Sequence, residues 1–140
     1  MQSFWERLKR VKQLSLQTRS KNGLEWRGKA EVFVTIESDT VLTFEERGFW
    51  EREPEVAFHN IFRWTLDETG GISLEHLRLG HPVFLLHLVP DGKHRLLSKA
   101  PHVCKADVYS AQVSWDQEHI HLSWRITGPK KDEEMEYCYT

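Results

Sequence analysis

Four side chains able to do chemistry fall within eight residues: His102, Cys104, Asp107 and Tyr109, in the run His102-Val103-Cys104-Lys105-Ala106-Asp107-Val108-Tyr109. Strand patterns normally place Val, Ile and Thr at such positions. In a regular strand His102 and Cys104 share one face and Asp107 and Tyr109 the other. A bulge near Lys105-Ala106 would bring all four together. A Cys beside a His is the make-up of a thiolate nucleophile or of a metal pair. Set out as catalysis, His102 would be the general base or Cys104 the nucleophile, with Asp107 orienting the base. The simpler reading is a hydrogen-bonded polar network inside a sheet.

Three further groups carry chemistry. His119-x-His121 puts two imidazoles on one face of a strand, a spacing known from zinc sites. Ile120, Leu122, Trp124 and Ile126 claim the core face, so the pair is expected to face outward and no metal is assigned. Arg63, within Phe62-Arg63-Trp64, needs a partner if buried; Glu45 and Asp107 are the partners considered, and the same guanidinium fork suits a carboxylate or phosphate. Gly128-Pro129-Lys130-Lys131-Asp132 is a turn carrying a local positive spot. It lacks the Gly-rich cradle and following helix of a P-loop, and neither G-x-S-x-G, H-E-x-x-H nor G-x-G-x-x-G occurs in the chain.

The elements that hold these residues are mostly strands. Phe4, Trp5, Leu8, Val11 and Leu14 recur at spacings of three and four, and Ser3 with Glu6 fits a capping box, so residues 3–16 are predicted as an amphipathic helix. Its other face is basic. Residues 1–21 hold six Lys/Arg and one Glu, a local net of +5. Beyond Gly23 the period becomes two. Strands are predicted over 30–36, 41–49, 56–66, 72–78, 83–89, 94–98, 102–115, 119–127 and 133–139, joined by turns such as Thr69-Gly70-Gly71 and Pro90-Asp91-Gly92. About nine strands with short connections point to a mainly β, antiparallel barrel behind an N-terminal helix. Closure would remove exposed edges, and a barrel of that size holds about one small ligand.

The totals agree with a single domain over 1–140, with 1–21 as helix and lead-in and 23–140 as barrel. The chain has 140 residues, 39% hydrophobic, with a formal charge of -2. Near-neutrality argues against a nucleic-acid binder. No stretch approaches the ~18 apolar residues of a membrane span and no secretory pattern opens the chain, so a cytoplasmic protein without integral membrane contact is expected. Two cysteines, Cys104 and Cys138, do not make a disulfide framework. Six Trp and seven Phe imply an aromatic core or an aromatic-lined cavity.

The run Leu97-Ser98 through His102-x-Cys104-x-x-Asp107-x-Tyr109, then Trp124-Arg125-Ile126-Thr127-Gly128-Pro129-Lys130-Lys131-Asp132 and Tyr139, resembles a bacterial family of unknown function. Upstream, Trp26-x-Gly28, Phe44-Glu45-x-x-Gly48 and Asn60-x-Phe62-Arg63-Trp64 are similar to the same family's earlier blocks. The resemblance implies an up-and-down barrel of the calycin type, related in shape to lipocalins and fatty-acid-binding proteins. It carries no activity. The positions that map onto it are Glu45, Arg63, Trp64, His102, Cys104, Asp107, Tyr109, Lys130 and Lys131.

Together these residues suggest a binding barrel for a small, partly apolar, anionic molecule, without a cofactor. Arg63 and Lys130 would meet the ligand's charge, His102 and Tyr109 would hydrogen-bond it, Trp64 and Phe62 would line the space, and Glu45 completes the candidate set. The alternatives are a barrel enzyme using His102, Cys104 and Asp107, which is the weaker case, and an interaction module docking through the basic helix.

Overall fold

The computed structural model describes residues 3–98, 102–104 and 106–140. Among these, one helix, α1 (Phe4–Leu8), precedes eleven strands: β1 (Gln13–Ser20), β2 (Glu25–Ser38), β3 (Val41–Trp50), β4 (Val56–Leu66), β5 (Ile72–Arg78), β6 (His81–Pro90), β7 (Arg95–Ser98), β8 (His102–Cys104), β9 (Asp107–Trp115), β10 (Ile120–Thr127) and β11 (Asp132–Tyr139). Each of β1 to β6 pairs antiparallel with the next, β7 pairs with β9, and β9, β10, β11 and β1 complete the circuit. Ten strands thus form a closed antiparallel barrel. The eleventh, β8, lies on the flank of β9 that β7 has left. Where β7 ends, the Ser98 hydroxyl donates to the Ala111 carbonyl at 3.1 Å and accepts the Ala111 N–H at 2.9 Å, continuing the ladder with a side chain.

The N-terminal helix is shorter than its periodicity suggests. Ser3 caps it, accepting the Glu6 N–H at 3.1 Å, but it ends at Leu8. From Lys12 onward the backbone belongs to the sheet: the Lys12 N–H donates to the Thr140 carbonyl and its carbonyl accepts from Val32. Leu14, Leu16 and Thr18 alternate with polar residues, and this period of two prevails because β1 is needed to join β2 to β11. The barrel therefore starts at Gln13, inside the segment expected to be lead-in. The expected strand 102–115 is likewise divided into β8 and β9, which pair as a hairpin.

α1 closes one end of the barrel. Phe4, Trp5 and Leu8 are buried, Phe4 stacks on Trp115 with ring centroids 4.4 Å apart, and the Trp5 indole N–H donates to the Asp39 carbonyl at 3.1 Å. The turns at 39–40, 67–71, 91–94 and 116–119 surround this end. Those at 21–24, 51–55, 79–80 and 128–131, with the β8–β9 hairpin, surround the other, called the mouth below.

The interior follows the strand alternation. Leu14, Val32, Leu42, Phe44, Trp64, Leu74, Leu86, Leu88, Val113 and Leu122 are buried, most of them fully. Burying each aliphatic side chain of this size stabilises by roughly 1.5–3 kcal/mol. Two motif glycines have structural causes. A Cβ on Gly48 would overlap the Lys29 carbonyl and Ala30, so β2 and β3 approach closely only because that atom is absent. Gly28 lies beneath the Trp50 and Phe58 rings, which a Cβ there would meet at 3.2 Å.

Candidate functional site in the barrel interior

On β3 the inward positions are Leu42, Phe44, Glu46, Gly48 and Trp50, facing Trp64, Phe62, Asn60, Phe58 and Val56 across the β3–β4 ladder. One carboxylate therefore enters an apolar row. Glu46 is fully buried, the one charged residue so placed among the described residues. The Tyr139 hydroxyl donates to its Oε2 at 2.6 Å. Its Oε1 has no hydrogen-bond partner among the described residues, and neither have the buried indole nitrogens of Trp64 and Trp124. Buried polar atoms are nearly always paired. Three unpaired ones in one barrel call for an explanation.

Burial pushes the Glu46 carboxyl up to about 8, although the Tyr139 hydrogen bond acts the other way. Glu46 is thus mainly protonated at neutral pH. Burial, followed by the charge of Glu46, raises both the Tyr137 and Tyr139 phenols, so both stay neutral. Around Glu46 a continuous series of rings crosses the interior. Centroids lie 5.3 Å apart for Trp64–Phe44, 5.5 Å for Phe44–Tyr139, 6.1 Å for Tyr139–Tyr137 and 6.3 Å for Tyr137–Trp124.

Toward the mouth the same inner face is only half-buried. Trp26 and Trp50 meet edge to face at 5.7 Å, Trp50 and Phe58 lie 5.1 Å apart, and the Arg52 guanidinium sits 4.5 Å from the Trp26 ring centre. His76, opposite Phe62, is held below the usual imidazole range by burial and then by the Arg78 charge. At this end large aromatic and polar side chains point inward yet remain partly exposed.

The residues singled out from the sequence divide into two places. Trp64 is in the core. Asp107 and Tyr109 lie at the mouth, where the β8–β9 register sets Cys104 opposite Asp107 and His102 opposite Tyr109. The hairpin therefore brings the four positions together, in place of the bulge expected; the side chains of His102 and Cys104 lie outside those described. Asp107 also explains a distant motif, because its carboxylate occupies the space that a Cβ on Gly128 would need. Lys130 and Lys131 are exposed on the adjoining turn, which the Gly128 N–H closes on the Lys131 carbonyl at 2.7 Å.

Arg63 and Glu45 face outward instead. Arg63 donates from Nε to Glu75 Oε1 at 2.8 Å, so its partner is Glu75 on β5 and neither Glu45 nor Asp107. Glu45 meets His59 at 2.9 Å and Arg47 at 3.1 Å; these hydrogen bonds hold its carboxyl below the usual range. His119 and His121 stack at 5.8 Å on the outer face, as the core pattern of β10 requires. Cys138 is a free thiol on β11 that burial pushes up, which disfavours a thiolate there. Glu46 is the site residue absent from the set expected from sequence. Its parity with Leu42 and Phe44 is the available signal, and the charged neighbours Glu45 and Arg47 mask it.

Among the described residues no helix is long and apolar enough to cross a membrane. No curated protein matches the chain. Among solved structures, a fluorescence-activating beta barrel made by de novo design is similar at 10% identity and a TM-score of 0.47, covering 95% of each chain. A redesigned beta barrel, mFAP1, bound to DFHBI is similar at 9% identity and a TM-score of 0.45, covering 92% of this chain and 93% of that one. The sequence itself is matched over residues 2–140 by the family of unknown function DUF6314, and the chain belongs to that family.

Proposed function

We propose that the barrel binds a small, partly apolar molecule in its interior, entering at the mouth and held against Glu46, Trp64 and Trp124. The observation that carries this reading is the set of three buried polar atoms without partners, Glu46 Oε1 and the two indole nitrogens, in an aromatic surround. A ligand oxygen would accept from an indole N–H, and a ligand donor would meet Glu46. Mostly apolar walls with a few placed polar groups are the usual make-up of a small-molecule site. Asp107, Tyr109 and Lys130 would border the entrance, with His102 and Cys104 on the same hairpin.

The anionic preference expected from the sequence loses the support of Arg63, which is on the outer face with Glu75, and keeps only Lys130 at the mouth. With Phe4, Trp5 and Leu8 buried against the barrel, the docking-helix alternative would have to act through the basic residues alone. An enzyme on this frame would still draw on Asp107 and its hairpin partners, yet no described geometry favours it over binding.

The test is native mass spectrometry of the protein purified from its own host, for wild type and for Trp124→Phe with Glu46→Gln. A mass excess that leaves on denaturation and is reduced in the double variant is expected. A bare mass in both, together with Trp fluorescence unmoved by a panel of small aromatic compounds, would overturn the proposal and assign the three polar atoms to trapped water.

A further inference from the structure

Resting on the interior reading above, we propose that the ligand is an organic cation, an amine or quaternary ammonium group seated on Glu46 and walled by Phe44, Trp64, Tyr137, Tyr139 and Trp124. Charge is distributed unevenly across the barrel wall. Every described Lys and Arg on the ring strands lies at an outward position in the register except Arg78. Arg78 is exposed at the mouth end of β5, where it donates to His76 Nδ1 at 3.1 Å. The inward face carries the carboxyl of Glu46 and, nearer the mouth and half-buried, that of Glu133 opposite Ser20 and Ile126. Asp107, at the rim, shares the parity of Tyr109 on β9. An anion would meet no described Lys or Arg in the buried interior, and its charge would oppose ionisation of the buried carboxyl. A cation would find a carboxyl that can ionise against it and several ring faces, each of which attracts positive charge through its quadrupole.

The unpaired Oε1 points the same way. Tyr139 satisfies Oε2 alone, and a buried carboxylate needs more than one hydroxyl to stay ionised. In the free protein a proton supplies the missing positive charge, which accords with the elevated Glu46 titration. The cation takes the place of that proton: the neutral acid loses H+ to solvent, and the carboxylate forms an ion pair with the ligand. Binding should therefore release about one proton, and affinity should rise about tenfold for each pH unit below about 8, as the competent, ionised fraction grows. The titratable and charged groups that share the face are Tyr137 and Tyr139 from β11, which stay neutral in this range, Glu133 from β11, His76 and Arg78 from β5, His81 opposite Arg78 on β6, and Asp107 and Tyr109 from β9. The two tyrosines cannot mimic the effect, and His76, held below the usual imidazole range by burial, is common to the wild type and Glu46→Gln, so the comparison of the two removes it.

The experiment uses three probes of matched shape on the full chain: benzyltrimethylammonium, its neutral carbon analogue neopentylbenzene, and phenylmethanesulfonate. Their own charges do not change with pH. Binding is followed by intrinsic Trp fluorescence at pH 6, 7 and 8, and proton release by calorimetry in two buffers of different ionisation enthalpy. The expected result is that the cation binds tightest, that its affinity rises steeply with pH, and that Glu46→Gln removes the rise while still binding the neutral analogue. If Glu46→Gln fails to fold, the wild-type pH series with proton counting decides alone. Equal, pH-independent binding of neutral and cationic probes overturns the cation assignment and leaves the interior reading in place. Tightest binding by the sulfonate does the same. Failure of all three probes to bind overturns both.

Discussion

Replacing Glu46 by Gln should change how stability responds to pH in a calculable way. Gln keeps the shape of the protonated acid and an oxygen that can accept from Tyr139, so packing around Phe44 and Trp64 is preserved. What disappears is the titration. In the unfolded chain Glu46 ionises at its ordinary value of 4.5; in the folded barrel it does so at about 8. The sign follows directly. Below 4.5 both states are protonated and the group has no effect. Between 4.5 and 8 the folded state holds a proton that the unfolded state has released, so stability falls as pH rises, by about 1.4 kcal/mol per pH unit. Above 8 both states are ionised and the loss is complete. Between pH 5 and pH 8 the wild type should thus lose about 4 kcal/mol relative to Glu46→Gln, against a total stability of roughly 5–15 kcal/mol for a domain. All other groups are common to the two proteins and cancel in the difference. Urea unfolding followed by Trp fluorescence at pH 5, 6, 7 and 8 measures it, provided the denaturant slopes agree. A difference between the two proteins that stays constant within about 1 kcal/mol across that range would refute the buried, protonated carboxyl, and with it the electrostatic basis of the site.

Other substitutions test the frame around the site. Gly48→Ala should cost about 2–4 kcal/mol in urea unfolding, because its Cβ meets the Lys29 carbonyl and Ala30 backbone, which cannot swing aside; an unchanged midpoint would contradict the close approach of β2 and β3. Leu8→Ala should cost about 2–5 kcal/mol, since a fully buried side chain at the closed end is removed, and thermal melting reads it. Arg63→Ala should change stability by less than about 1 kcal/mol, because its pair with Glu75 is on the outer face and partly exposed. It should also leave probe binding unaltered, and a loss of binding would restore Arg63 to the site.

The frame was largely legible because strand alternation is a local signal. Phe58, Phe62, Trp64 and Leu66 declare one face of β4 without knowledge of any neighbour, and the structure puts that face inside. β1 was illegible for the opposite reason. Leu8, Val11 and Leu14 satisfy a helical period as well as Leu14 and Leu16 satisfy a strand period, and the choice is made by Tyr139 and Ala30, which bracket Leu14 from β11 and β2. The same distinction governs the site. Residue type pointed to Arg63, a cation in a strand, whereas position points to Glu46, a carboxylate at the parity of Leu42 and Phe44. Arg63 finds Glu75 directly across the ladder and is satisfied at the surface. Glu46 has to reach from β3 across the barrel to Tyr139 on β11, a partner 93 residues away in sequence, and still leaves one oxygen unpaired. A charge paired by its ladder neighbour holds a sheet together. A charge turned inward, where pairing is incomplete and desolvation is severe, destabilises the free protein and is therefore the better mark of a binding site.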